Sequence, residues 1–208
     1  MRRDPFGGPR AGQPAPRRRG INPRFLILLL FAGYGLYYWY SNQSLDPITG
    51  ESVLIDRNLS IEDEKALGLQ AYQEILRQER PVPPDAQIAR QVRAIAERLV
   101  ARVPEVEAAL AAEHGQAPAG FSRGFDWEVN VIESDQANAF CLPGGKMAVY
   151  TGLVPVARNE HAMAVVMGHE IAHALLRHGA QRMAQQKLSQ VGQMAGAMSG
   201  MDPQQQQM

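Results

Sequence analysis

The 208-residue sequence predicts an α+β fold, mostly helical, with a small β-sheet and one membrane-spanning helix ahead of it. Three observations lead there. Apolar residues recur at helical spacing through residues 60–113 and again through 160–178. Two short runs, Trp127–Ile132 and Lys146–Thr151, have the alternation or the β-branched and aromatic content of strands. A stretch over residues 25–45 carries no charge and has the length of a bilayer span.

From the amino terminus, residues 1–24 hold seven arginines, one acid (Asp4) and many Pro and Gly, the composition of a disordered basic tail. At about 1.5 Å per residue, residues 25–45 just cross a hydrocarbon core of about 30 Å, with Tyr37, Tyr38, Trp39 and Tyr40 at one headgroup interface. The run is long for a signal-peptide core and no small-x-small cleavage site follows it, so an uncleaved anchor is favoured. By the positive-inside rule the tail stays cytoplasmic and the rest lies across the membrane. That side is the periplasm of a bacterium, with the mitochondrial inner membrane as the eukaryotic counterpart.

Residues 46–59 read as a linker. Ser60 with Asp63 approximates a capping box and opens a helix to about Gln78; Pro81–Pro84 breaks it, and Asp85 caps a second helix through about Val103. Ile88, Val92, Ile95, Leu99 and Val103 form its core stripe. Glu105–Glu113 reads as a short further helix and His114–Gly124 as a loop. The net charge of zero hides a division: with seven of 21 basic and one of 21 acidic residues in the tail, the remainder carries about −6. That balance argues against nucleic-acid binding. Cys141, the one cysteine, excludes an internal disulfide and reads as a small buried residue.

The richest stretch is His169-Glu170-Ile171-Ala172-His173. Four residues advance a helix by about 400° and about 6 Å, so His169 and His173 share a face and can converge on one cation. Two imidazoles on one face, with a glutamate between them, form the H-E-x-x-H pattern of a hydrolytic zinc site holding one Zn2+ per chain. Glu170 points about 100° away, where it suits a general base that takes the proton of the attacking water and returns it to the leaving amine. Asn159 can cap this helix and Gly179 can stop it after Arg177 and His178. It is apolar on nearly every side, which predicts a buried central element. Histidines bonded only to core carbonyls are the structural alternative. His178, about 180° around the helix from His169, reads as a cap or a surface histidine, and His161, about 12 Å away along the axis, is a poor ligand.

A second segment, Asn138-Ala139-Phe140-Cys141-Leu142-Pro143-Gly144-Gly145, reads as a loop and a Pro-Gly-Gly turn before the strand Lys146–Thr151. The combination N-A-F-x-L-P-G-G, a strand ending T-G-L, and G-H-E-I-A-H-x-L-x-R-H resembles the zinc metallopeptidases that include the prenyl-protein (CAAX) proteases, the membrane protease HtpX and the periplasmic protease-chaperone BepA. Asp46–Gly50 with Glu64–Tyr72 is similar to the start of the catalytic domain in the BepA-like branch. The resemblance spans about residues 46–190. It implies a zincin-like metallopeptidase domain over 60–208, metal ligands His169 and His173, and catalytic Glu170. It also implies a cleft-side segment in which Asn138, Ala139, Gly144 and Gly145 are candidates for substrate binding. The two glycines read equally well as turn residues. The strand at Lys146–Thr151 is the expected edge for an extended peptide.

The family's third ligand, a glutamate on a later helix, has no counterpart, because no glutamate follows Glu170 and the only later acid is Asp202. Three readings are open: a chain ending before that ligand, substitution by Glu133, Asp135 or Asp202, or loss of catalysis. Gln181–Met208, rich in Gln, Met, Ala and Gly without a strand or closing-helix signal, favours the first. The resulting expectation is a membrane-anchored zinc endopeptidase acting on protein or peptide substrates in quality control. The alternative is a catalytically inactive binding or chaperone module of the same fold.

Overall fold

The computed structural model describes residues 23–199. The basic tail expected at 1–24 falls, except for Pro23 and Arg24, outside the described residues, as do Asp202 and the glutamine run. Helix α1 (Pro23–Ser41) leads into a hairpin of β1 (Gln43–Leu45) and β2 (Ser52–Leu54). The carboxylate of Asp46 closes its turn, accepting from the amides of Ile48 at 2.8 Å and Thr49 at 2.9 Å. The segment expected to be linker therefore holds ordered structure. Helix α2 (Ile61–Gln78) opens on the anticipated capping box, with the Ser60 hydroxyl accepting from the Asp63 amide at 3.1 Å. Helices α3 (Gln87–Val100) and α4 (Val103–Glu113) follow. The cap of α3 is Ala86 rather than Asp85, and no side chain bonds there.

Strands β3 (Glu128–Ile132), β4 (Ala139–Leu142) and β5 (Lys146–Tyr150) form one sheet in the order β3-β5-β4, with β3 parallel and β4 antiparallel to β5. Two expectations are corrected. The Lys146 strand is central, not an edge, and the Ala139 segment is a strand, not a loop. Burial explains both: every residue of β5 is buried, so it reads as the continuous run of a doubly covered strand. Such a strand needs a neighbour on each side, and β4 is the second one.

After a short helix α5 (Val154–Ala157) come α6 (Glu160–Leu175) and α7 (His178–Ser199). The period-2 alternation of the sheet divides the core. Val131, Ala139, Cys141, Met147 and Val149 pack with α3 and α6, whereas Ile132, Ala148 and Tyr150 pack with Tyr72 of α2. The Tyr72 hydroxyl donates to the carbonyl of Met147 at 2.9 Å, tying α2 to the central strand. Gly68 permits that approach, since a Cβ there would lie 2.2 Å from the carbonyl oxygen of Pro143.

The carboxy-terminal segment, read as lacking a helix, forms α7 through Ser199. Its Gln, Met and Ala favour helix, and packing on α1 buries Ala184 and Ala195. Asp56, just after β2, joins the pair: it accepts from Lys187 at 2.6 Å and from the Tyr38 hydroxyl at 3.0 Å. Residues 25–45, expected as one span, divide between α1 and β1. Among the described residues no helix is long and apolar enough to cross a membrane. Arg24 at one end and the aromatic cluster Tyr37–Tyr40 at the other dilute the apolar centre of α1.

Candidate metal centre

Helix α6 begins where Asn159 accepts from the amide of Ala162 at 2.9 Å. Met163, Met167, Ile171 and Ala174 bury one face in the core. The opposite face is open, with Val165 71% exposed, so α6 is not the fully buried element its composition predicted. His169 stands on that open face, and Glu170 and His173 are half-buried beside it. One donor atom from each of the three lies within 4.8 Å of the others, and the two imidazole centroids are 4.4 Å apart. Ligands about 2.1 Å from a tetrahedral ion sit roughly 3.4 Å from one another, a spacing that two imidazoles stacked on one helix face can meet, with Glu170 beside them as the base rather than a ligand. The residues fit the metal that the motif implies. Among the described residues no further group of three such donors converges.

Neither upstream acid joins them. Glu133 pairs with Arg80 at 3.4 Å on the surface, and Asp135 lies in the loop whose carbonyl crowds Gly152. Strand β4 runs alongside α6, and its Cys141 faces the helix. Burial first, and then the charge of Glu170, push the Cys141 thiol up to about 12, which keeps it protonated and bears out the plain reading of a small buried residue.

The substrate-binding candidates separate. The carbonyl of Asn138 accepts from the Tyr150 amide at 3.0 Å, so by the antiparallel alternation the main-chain groups of Ala139 and Cys141 turn away from β5. Asn138 and Ala139 therefore begin a free strand edge next to α6. Gly144 and Gly145 instead build a turn, at φ +85° and +84°, closed by the Gly145 amide donating to the Leu142 carbonyl at 3.1 Å. They pack on Lys65 and Trp127 rather than on the histidines.

His178 departs most from expectation. Helix α6 ends at Leu175, and Arg177 adopts a left-handed φ of +54°, so His178 opens α7 instead of continuing around α6. Its ring comes 4.7 Å from that of His173, centroid to centroid, with the two Nδ1 atoms in hydrogen-bond contact. Burial, and next the neighbouring His173, hold the His178 imidazole below its ordinary pKa. The corner is fixed by Arg177, whose guanidinium donates to the buried carboxylate of Glu64 and lies 5.6 Å over the ring of Phe121. On the flank of α6 that carries Gly168 and Ala172, an apolar cleft of about 470 Å³ opens toward Ile48, Leu99, Val106 and Leu110. No local pattern announces it, because its walls come from separate elements.

Residues 92–207, more than half of the chain, match the pattern described as Peptidase family M48. The chain belongs to peptidase family M48. The M48 match takes in α3 from Val92 onward, the whole β3-β5-β4 sheet and all three clustered donors, and leaves α1, the hairpin and α2 ahead of it. Among similar proteins, mitochondrial metalloendopeptidase OMA1 of Schizosaccharomyces pombe is 30% identical over 174 residues, 83% of this chain and 45% of the relative. The human mitochondrial metalloendopeptidase OMA1 is 31% identical over 161 residues, 76% of this chain and 28% of its own. A putative beta-barrel assembly-enhancing protease of Vibrio cholerae is 31% identical over 142 residues, 68% of this chain and 24% of its own. The M48 chain thus spans less than half the length of these relatives.

Proposed function

We propose that this chain is a membrane-anchored zinc endopeptidase. The observation behind the reading is the convergence of His169, Glu170 and His173 within 4.8 Å on α6, the helix packed against the edge strand β4. His169 and His173 hold the metal, which when bound polarises the scissile carbonyl and makes a water acidic enough to attack near neutral pH. An extended peptide adds to β4, pairing with the outward main-chain groups of Ala139 and Cys141 from Asn138 onward, while Gly144 and Gly145 keep the turn that ends the strand. Glu170, half-buried at that edge, takes the proton of the attacking water and delivers it to the leaving nitrogen.

The anchor reading rests on the uncharged stretch 25–45 and on the exposed Phe25, Leu26, Leu29, Leu30 and Leu36 of α1. The arginines of residues 1–24 support a cytoplasmic amino terminus, with the catalytic domain periplasmic, or at the mitochondrial inner membrane in a eukaryote. Protein substrates fit the relatives' names, a mitochondrial metalloendopeptidase and a putative beta-barrel assembly-enhancing protease, and we extend this to a role in protein quality control.

The test is casein cleavage by the full chain with and without chelator. Loss of cleavage on chelation, and a drop of about 10²- to 10⁴-fold in a Glu170→Gln variant that keeps its zinc, are the expected results. Equal activity in that variant would sink the mechanism. A second reading, a catalytically inactive binding or chaperone module, is favoured by one observation: only two histidines and the proposed base make up the donor group among the described residues. Client binding by a chain with well under one zinc per molecule is its signature.

A further inference from the structure

A histidine that ligates zinc through one nitrogen keeps a proton on the other, and that N–H needs an acceptor to fix the ring. For His173 the structure offers one. Its Nδ1 is in hydrogen-bond contact with Nδ1 of His178, which leaves Nε2 as the nitrogen available to the cluster with His169 and Glu170. Two Nδ1 atoms can share a hydrogen bond only if one is protonated and the other is not. A metal-binding Nε2 on His173 requires its Nδ1 to be the donor, so the acceptor is His178. The backbone that carries the acceptor is tied on both sides. It is the first residue of α7, the left-handed Arg177 before it is bound to Glu64, and the Gln181 side chain donates to the carbonyl of Leu176 at 2.8 Å.

We propose that His178 is the positioning residue of the metal centre: it accepts the Nδ1 proton of His173 and so holds that imidazole in the tautomer that turns Nε2 toward the ion. The inference rests on the metal reading above. It makes the break between α6 and α7 part of the site, since on an unbroken helix the same histidine would face the other way.

The experiment measures zinc affinity of the full chain by competition with a chromophoric chelator, for the wild type, His178→Ala and His178→Asn, with far-UV circular dichroism to verify folding. His178→Ala is expected to bind zinc about 10- to 100-fold more weakly. His178→Asn, whose amide oxygen can accept the same proton, is expected to recover most of the loss. In the cobalt-substituted protein the visible spectrum of His178→Ala should keep the wild-type coordination number. A changed coordination number would make His178 a ligand and overturn the proposal. So would an affinity unchanged by His178→Ala, or an Asn variant no better than the Ala variant. Nitrogen-15 spectra of the zinc-loaded wild type give a reading that needs no variant: His173 should carry its proton on Nδ1 and the metal on Nε2, and the reverse assignment would refute the idea. A wild type that binds no zinc would overturn the metal reading itself, whereas one that binds with its His178→Ala variant unimpaired overturns only this inference.

Discussion

At the scale of single residues, the legible features were those set by near neighbours in the chain. A spacing of four put His169 and His173 on one face, and Ser60 and Asp63 closed the box that their spacing announced. His178 was not legible. Its position depends on the φ of Arg177, and the left-handed value there is supported by an ion pair to Glu64, 113 residues away. Cys141 could be read as buried, but its companionship with Glu170 could not, since that needs β4 laid along α6. Its raised thiol pKa yields a prediction. At pH 8 a thiol near 12 is ionised to about one part in 10⁴, so alkylation by iodoacetamide should run at least about 10³-fold slower in the native chain than in urea, followed by mass spectrometry. At Gly145, a Cβ would meet the Trp127 ring at 2.8 Å on a backbone already at φ +84°. Gly145→Ala should therefore cost about 1–3 kcal/mol, read as a lowered urea midpoint.

At the scale of elements, α2, α4 and β3 began and ended close to where pattern placed them, and α6 began at its expected cap but stopped at Leu175, short of the expected Gly179, because caps, prolines and apolar stripes are local signals whereas the left-handed Arg177 is not. What failed was pairing. Nothing in Lys146–Tyr150 alone says that a strand lies on each side of it, and nothing in Gln181–Ser199 says that α1 covers it. The α1–α7 pair has its own test, through Asp56. The bond from Lys187, followed by those from Asn58 and Tyr38, lowers its pKa from 3.8 to about 2 against the opposing effect of burial. Because the folded value is depressed, the stabilisation is fully present above about pH 4 and is lost as pH falls through about 2. Lys187 is half exposed, so the contribution is about 1 kcal/mol rather than the full shift. Acid titration of Trp39 fluorescence should show a transition in that window, and Asp56→Asn should remove it.

At the scale of the molecule, the class was readable, mostly helical with a small sheet against the motif helix, but the covering of that sheet by helices on both faces was not. The cleft beside α6 was hidden, for it exists only once α3, α4, α6 and the hairpin turn are brought together. A metal held by His169 and His173 would tie local chemistry to global stability. Zinc at a hundred times its dissociation constant should add about 2.7 kcal/mol, so loading should raise the melting temperature by several degrees. His173→Ala should abolish the rise, measured by calorimetry with and without added zinc.

The open side of β4 has a consequence beyond catalysis. A row of outward amides and carbonyls does not distinguish a client from a second copy of the same protein, and the side chains Ala139-Phe140-Cys141-Leu142 contain neither the lysine nor the proline that commonly discourages such mispairing. Its protection is brevity. In the proposed mode four residues would align one scissile bond against Glu170 while offering few rungs for two copies to pair, so the shortness of this strand would restrain self-association as well as substrate grip.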